Sequence, residues 1–293
     1  MINIVIIGNT SNYDIAQSLY DCNEFNIIGG IVDDSNSDNV QQQIIFLKKY
    51  NIPQLQLSDI PSINVDVCLI IYYTKIIDVK LFQNTLCLNI HAGILPKWRG
   101  FNANAWAIVN NENEVGYTLH KVTGDLDGGD IYYRFIEKIS LDKKYGDIIP
   151  ILRKRVCEAL PNILISIVNC EIKPVTQQYQ KFVYCSKFRK NDGIIRNWDI
   201  PSRYLYNLFR VLGAPYGTGI YFIFKHEIYE ITNMQLVMEC EDYYCIPGAI
   251  TYISNNKMWV KTRDAIVEIL EVTKNKKVID ISEYFRIGNR LFS

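Results

Sequence analysis

The chain reads as an α/β protein in which a Rossmann-like, doubly wound, mostly parallel sheet is followed by a smaller, OB-like β-barrel domain. Short β-branched apolar runs alternate with amphipathic stretches as far as Ile90; the alternation stops after Lys181; and short strand-like runs separated by turn residues fill the stretch from Gly219 onward. Residues 2–7 (INIVII) form the first run, which ends at Gly8. The polar turn NTSNYD then leads into an amphipathic stretch from Ile15 to Tyr20, giving strand, loop and helix. A second run, Ile27–Val32, ends at Asp33 and Asp34. A helical stretch from Gln41 to Tyr50 passes through Ile52 and Pro53 to an apolar run from Val65 to Tyr73, and a fourth strand spans Leu86–Ile90. Strands alternating with helices imply parallel pairing through crossovers.

Between Asp142 and Ile172 the pattern predicts one helical region, bent or interrupted at Pro150 and Pro161, because proline removes a donor and clashes with the preceding turn. Asp199–Leu212 predicts a helix with Pro201 in its first turn. Strands are expected at Ile220–Phe224, Ile228–Met234, Ala249–Ile253, Met258–Thr262 and Ala265–Val272. A boundary in KFRKNDG, near residue 190, separates a domain 1–190 from a C-terminal domain 191–293 with a leading helix.

At 293 residues the chain is long enough for two cores. Lys and Arg, 31 in all, balance 31 Asp and Glu, so no global field favours nucleic acid, an anionic membrane or an acidic partner. Every apolar run is interrupted well before the roughly 18–20 residues a membrane span requires, so a soluble chain is expected. The start MINIVIIGNT shows neither a basic n-region nor a cleavage site, which predicts a cytoplasmic location. Eight cysteines without a CxxC pair suit buried thiols in a reducing compartment, and His91, His120 and His226 lack metal-ligand spacing; neither a disulfide framework nor a metal is expected. A homodimer is compatible with the sequence.

The chemistry-bearing stretches are LCLNIHAGILPKWRGF, residues 86–101, and TGDLDGGDI, residues 123–131. Side chains two apart on a strand project to one side, so Asn89 and His91 are expected together at the carboxyl end of theirs, where open parallel sheets place ligands. Asp127 lies in a glycine-flanked loop able to turn tightly. An Asn-x-His at a strand end is often only a turn with satisfied side chains; the LPKWRG and LDGGD segments downstream favour catalysis here. Trp98 is read as packing and Asp130 as a loop cap. Gly8-Asn9-Thr10 falls short of the GxGxxG of a dinucleotide site, so a nicotinamide enzyme is not expected despite Asp33 and Asp34.

These residues resemble the folate-dependent formyltransferase family, in the patterns Asn89-Ile90-His91, Gly93-Ile94-Leu95-Pro96 and Leu126-Asp127-Gly128-Gly129. The resemblance extends over nearly the whole chain, since RNWDIPSRYLYNLFRVLGAPYGTG looks like the start of the family's C-terminal barrel. One departure is Ala92-Gly93-Ile94-Leu95-Pro96 where the family often has Gly-Ser-Leu-Leu-Pro, so a serine hydroxyl contact is lost or replaced. The resemblance implies Asn89, His91 and Asp127 as catalytic residues. It also implies N10-formyltetrahydrofolate as co-substrate, held near Gly93, Ile94, Leu95, Pro96 and Asp125. Attack of a neutral amine on a formyl carbon builds negative charge on oxygen and positive charge on nitrogen, and an amide, an imidazole and a carboxylate can meet both. His91 is open to two roles, base or stabiliser of charge.

Two acceptors are weighed. From Ile194 to Ser293 twelve Lys and Arg face eleven Asp and Glu, poor equipment for gripping tRNA phosphates as a methionyl-tRNA formyltransferase must. Ile71-Tyr72-Tyr73-Thr74-Lys75 and Tyr117-Thr118-Leu119-His120-Lys121 resemble stretches of sugar-nucleotide formyltransferases. That branch implies a nucleotide-linked amino sugar, such as a lipopolysaccharide precursor, bound through Asn9, Tyr72, Tyr73, Lys75 and Arg99. His120 is expected on a strand, facing core or cleft. A catalytically silent sugar-nucleotide binding protein is the alternative of another class.

Overall fold

A computed structural model describes residues 1–8, 13–33, 38–178, 182–213, 217–237 and 245–291. They divide into two compact units: Met1–Asn104 with Glu114–Lys138 and Ile149–Ser186, and Ala105–Asn113 with Ile139–Ile148 and Lys187–Ser293.

The first unit runs β1 (Ile2–Gly8), α1 (Tyr13–Tyr20), β2 (Phe25–Val32), α2 (Asp38–Lys49), β3 (Val67–Ile71), β4 (Leu86–His91), β5 (Trp98–Gly100), α3 (Ala103–Val109), β6 (Glu114–Lys121), β7 (Ile131–Lys138), α4 (Tyr145–Val168) and β8 (Val183–Cys185), with α3 and α4 each crossing the division. Its main sheet has the order β2-β1-β3-β4-β6-β7. The first four strands are parallel, and Ile4–Ile7 and Val67–Ile71 are buried on both faces, as continuous apolar runs in a parallel sheet should be. β6 and β7 then add two antiparallel strands. β7 escapes notice in the sequence because Tyr132, Tyr133, Arg134, Glu137 and Lys138 interrupt its apolar alternation.

The helical region expected between Asp142 and Ile172 is one helix, α4, uninterrupted from Tyr145 to Val168 with Pro150 and Pro161 inside it. Each proline costs about 3 kcal/mol. Leu152, Val156, Leu160, Ile163, Leu164 and Ile167 form a buried stripe whose burial, at roughly 1.5–3 kcal/mol per side chain, outweighs that loss.

The second unit adds β9 (Ile194–Ile195), α5 (Ser202–Leu212), β10 (Ile220–Phe224), β11 (Glu227–Leu236), β12 (Ile250–Ser254), β13 (Lys257–Lys261), β14 (Ile266–Lys274), β15 (Lys277–Val278) and α6 (Ile281–Tyr284). Pro201 is the cap of α5 and not part of its first turn. The strands pair in the order β12-β13-β14-β11-β10-β9, with β15 on β14, and these pairings alone do not close a barrel among the described residues. Ile220, Phe222, Ile231, Met258, Val260, Ile269 and Phe285 fill the core of this unit. Arg210 of α5 is buried in it and donates to the carbonyls of Lys143 (2.9 Å) and Ser140 (2.7 Å) and to Asn207 Oδ1 (3.1 Å), tying the 139–148 segment to the helix.

Candidate active site

Asn89 and His91 lie on β4, one pleat apart, and the antiparallel pairing with β6 sets Asn89 opposite His120 and His91 opposite Thr118. Asp127 comes from the loop between β6 and β7, at φ +50, a conformation that Asp tolerates better than most side chains. Gly129, two residues on, admits no Cβ, which would overlap the Lys121 carbonyl. The result is a buried knot. Asp127 Oδ2 accepts from the Gly100 N–H at 2.8 Å and lies 3.3 Å from His91 Nδ1; its Oδ1 takes Asn89 Nδ2 at 3.4 Å and lies 3.5 Å from His120 Nε2.

His91 Nε2 donates to the Trp98 carbonyl at 2.7 Å. Since a carbonyl only accepts, that nitrogen carries the proton, and the nitrogen facing Asp127 is bare in the neutral ring. Burial lowers the His91 pKa below its ordinary value, while Asp127 and the Trp98 carbonyl pull it up in part. Burial alone would raise Asp127, but His91, His120 and the Gly100 N–H prevail and hold it at about 2. Asp127 is therefore ionised and His91 is disposed to be neutral until a proton reaches Nδ1.

Residues around the knot fix its shape. At Gly93 a Cβ would sit 2.6 Å from His91 Nε2 and 2.9 Å from the Trp98 carbonyl, so the turn can pass behind the imidazole only as glycine. A hydroxyl from β6 pins this turn: Thr118 Oγ1 accepts from the Leu95 N–H (3.1 Å) and donates to the Gly93 carbonyl (2.7 Å). Leu95 is buried, Ile94 and Pro96 are half-buried, and the Leu95–Pro96 peptide is cis. Trp98 is 7% exposed, in keeping with a packing role. Gln177 gave no signal in the sequence, being one polar residue in an irregular segment. Its Nε2 donates to the carbonyls of Asp127 (2.8 Å) and Gly129 (2.7 Å), and its Oε1 accepts from Arg99 Nη2 (2.7 Å).

The structure brings together Asn89, His91, Asp127 and the 93–96 turn. Arg99 is 1% exposed and lies over the Phe182 ring, so it braces the Asp127 loop through Gln177. Asp125 is exposed on that loop. Tyr72 leaves β3 at φ +53 and shares a 2.6 Å hydroxyl contact with Tyr117, next to Thr118 on β6. Tyr73 is half-buried and packs against the hydrophobic cluster that includes Val5, Ile7 and Ile70, and Lys75 is exposed. Thr74 is pinned by Asp33, whose carboxylate accepts from its N–H (3.0 Å) and hydroxyl (2.5 Å). Asn9 lies outside the described residues.

Residues 31–166 match the formyl transferase family model, and residues 187–289 match the model of the formyl transferase C-terminal domain. The chain belongs to the formyl transferase family. This formyl transferase is 29% identical over 255 residues to a methionyl-tRNA formyltransferase of Clostridium acetobutylicum, covering 82% of this chain and 80% of the relative. A second methionyl-tRNA formyltransferase, from Mesoplasma florum, is 29% identical over 213 residues, 72% of this chain and 65% of its own. Among solved structures, WlaRD, a sugar 3N-formyl transferase crystallised with dTDP and 5-N-formyl-THF, superposes with a TM-score of 0.72 at 21% identity, over 94% of this chain and 99% of its own. The N-formyltransferase from Helicobacter canadensis, in complex with folinic acid and dTDP-3-aminofucose, gives 0.70 at 16% identity, over 92% and 98%. These likenesses establish the fold that the formyl transferase shares with them. Among its described residues no helix is long and apolar enough to cross a membrane, and no group of His, Cys, Asp and Glu is arranged to hold a metal.

Proposed function

We propose that the chain transfers the formyl group of N10-formyltetrahydrofolate to the amine of a nucleotide-linked amino sugar, with residues 1–190 as the catalytic domain and 191–293 as an OB-like companion. The observation that carries this reading is the convergence of Asn89 and His91 on the carboxylate of Asp127, at 3.4 and 3.3 Å, at the end of β4. The amine attacks the formyl carbon, and Asn89 donates a hydrogen to the oxygen as charge grows there. The proton lost by the nitrogen goes to His91 Nδ1, where Asp127 stabilises the imidazolium. The bond from carbon to N10 then breaks, and N10 leaves with the proton returned by His91, so the ring ends neutral.

Support for a sugar acceptor comes from the Tyr72–Tyr117 contact and the Asp33–Thr74 anchor, which fix an aromatic loop beside the site. The near-neutral balance of charge after Ile194 points the same way. The solved neighbours bind folates and dTDP or a dTDP-amino sugar, and the folate contacts proposed here are Gly93, Ile94, Leu95, Pro96 and Asp125. Sugar contacts are proposed for Asn9, Tyr72, Tyr73 and Lys75, whereas Arg99, expected from the sequence to touch the sugar, is buried and supports the Asp127 loop through Gln177.

A second reading, formylation of methionyl-tRNA, is favoured by the curated relatives. Presenting both acceptors with N10-formyltetrahydrofolate decides between the two: the proposal requires a sugar product about 28 Da heavier. Turnover of methionyl-tRNA alone, with steeply salt-dependent binding, selects the second reading.

A further inference from the structure

His120 is 2% exposed and stands directly across from Asn89 in the β4–β6 ladder. Its Nδ1 lies 2.9 Å from the carbonyl oxygen of Lys121. Only a donor satisfies a carbonyl, so Nδ1 holds a proton, and in the neutral ring Nε2 is a lone pair; Asp127 Oδ1, the other group facing Nε2, stands 3.5 Å away, longer than an ordinary hydrogen bond. That lone pair meets Asn89 Nδ2 at 3.1 Å. An amide nitrogen can donate to it and an amide oxygen cannot. Turning the Asn89 amide over would set its oxygen against two acceptors at once, His120 Nε2 and Asp127 Oδ1. The two amide hydrogens are unequally engaged, since the contact to His120 is short and the contact to Asp127 is long, at 3.4 Å.

We infer that His120 is a positioning residue for formyl transfer: held as the Nδ1–H tautomer by the Lys121 carbonyl, it anchors one hydrogen of Asn89 so that the other, loosely shared with Asp127, is presented to the formyl oxygen. The inference rests on the proposed role of Asn89 as the donor to that oxygen. His120 acts only through Asn89. Without it the amide has no preferred end, and in the wrong orientation its oxygen faces the growing negative charge.

The test compares His120→Leu, His120→Gln, Asn89→Ala and the His120→Leu/Asn89→Ala double variant, using N10-formyltetrahydrofolate with whichever of dTDP-3-aminofucose and methionyl-tRNA turns over. Losing one oxyanion donor costs about 10²–10³ in kcat, so His120→Leu should lose about tenfold to a hundredfold in kcat with KM for the folate little changed. His120→Gln, whose carbonyl supplies an acceptor, should recover most of that loss. In the Asn89→Ala background His120→Leu should cost no more than about twofold. Equal losses in both backgrounds, or coupling of His120 to Asp127→Asn in place of Asn89, would overturn the inference.

Nitrogen-15 NMR of the unliganded protein provides a readout independent of turnover. It should show His120 protonated at Nδ1 and bare at Nε2, with the Asn89 side-chain amide protected from exchange in wild type and His120→Gln but not in His120→Leu. An Nε2–H tautomer, or an unprotected Asn89 amide in wild type, sinks the inference. If the NMR result holds and no acceptor is formylated, the formyl-transfer reading fails while the anchored amide stands.

Discussion

His91 presents a bare Nδ1 to Asp127 Oδ2 at 3.3 Å because its other nitrogen is committed to the Trp98 carbonyl at 2.7 Å. The imidazole is thus pre-set to receive a proton on the side where a carboxylate stabilises it. Asp127→Asn keeps the left-handed backbone and an oxygen for the Gly100 N–H, so the fold should survive. The negative charge is lost, and kcat should fall by about a hundredfold to ten-thousandfold, measured at saturating donor and acceptor.

The pH profile follows from the same pair. Burial places the His91 pKa below its ordinary 6.5, so the acid limb of kcat/KM should lie below 6.5. Asp127 is one of the groups raising that pKa, so Asp127→Asn should move the limb further down. A limb that moves up on removing the carboxylate would contradict the assignment.

Stability should show a separate acid transition. Asp127 has a folded pKa of about 2 against an ordinary 3.8, and a depressed carboxylate stabilises the fold above its unfolded pKa and loses that contribution as pH falls through the folded one. The contribution is about 2 kcal/mol. Urea denaturation should show it fading between pH 4 and pH 2 in wild type and absent from Asp127→Asn.

Gly93→Ala tests the space behind the imidazole. The new Cβ would sit 2.6 Å from His91 Nε2, forcing the ring off the Trp98 carbonyl. A displacement of this kind is worth about a hundredfold in rate, so kcat at saturating donor and acceptor should fall by that order.

Thr118→Val tests the hydroxyl that pins the 93–95 turn. It leaves the Leu95 N–H without its acceptor at a fully buried position, which should cost about 1–3 kcal/mol in urea denaturation. Thr118→Ser should restore most of it.

Much of this site was legible in the sequence. Asn89 and His91 share a strand, so the period of two put them on one side, and the glycines around Asp127 announced a tight loop. The four parallel strands were equally plain, since each carries a short β-branched apolar run, continuous and buried in β1 from Ile4 and throughout β3. What could not be read was every interaction made at long range. Thr118 pins the 93–95 turn from a different strand, Gln177 braces the Asp127 loop from fifty residues away in the chain, and the partner of His120 depends on the register of β6 against β4. The continuity of α4 through two prolines was hidden for the same reason, since the stripe that holds it is buried only by tertiary packing.

The most direct measurement is transfer of carbon-13-labelled formyl from N10-formyltetrahydrofolate to a dTDP-amino sugar, followed by mass spectrometry in wild type, Asn89→Ala and His91→Ala. The account predicts labelled N-formyl sugar from wild type and a loss of about a hundredfold or more in each variant, with folding intact by circular dichroism. Labelled product formed at the wild-type rate by either variant would contradict it.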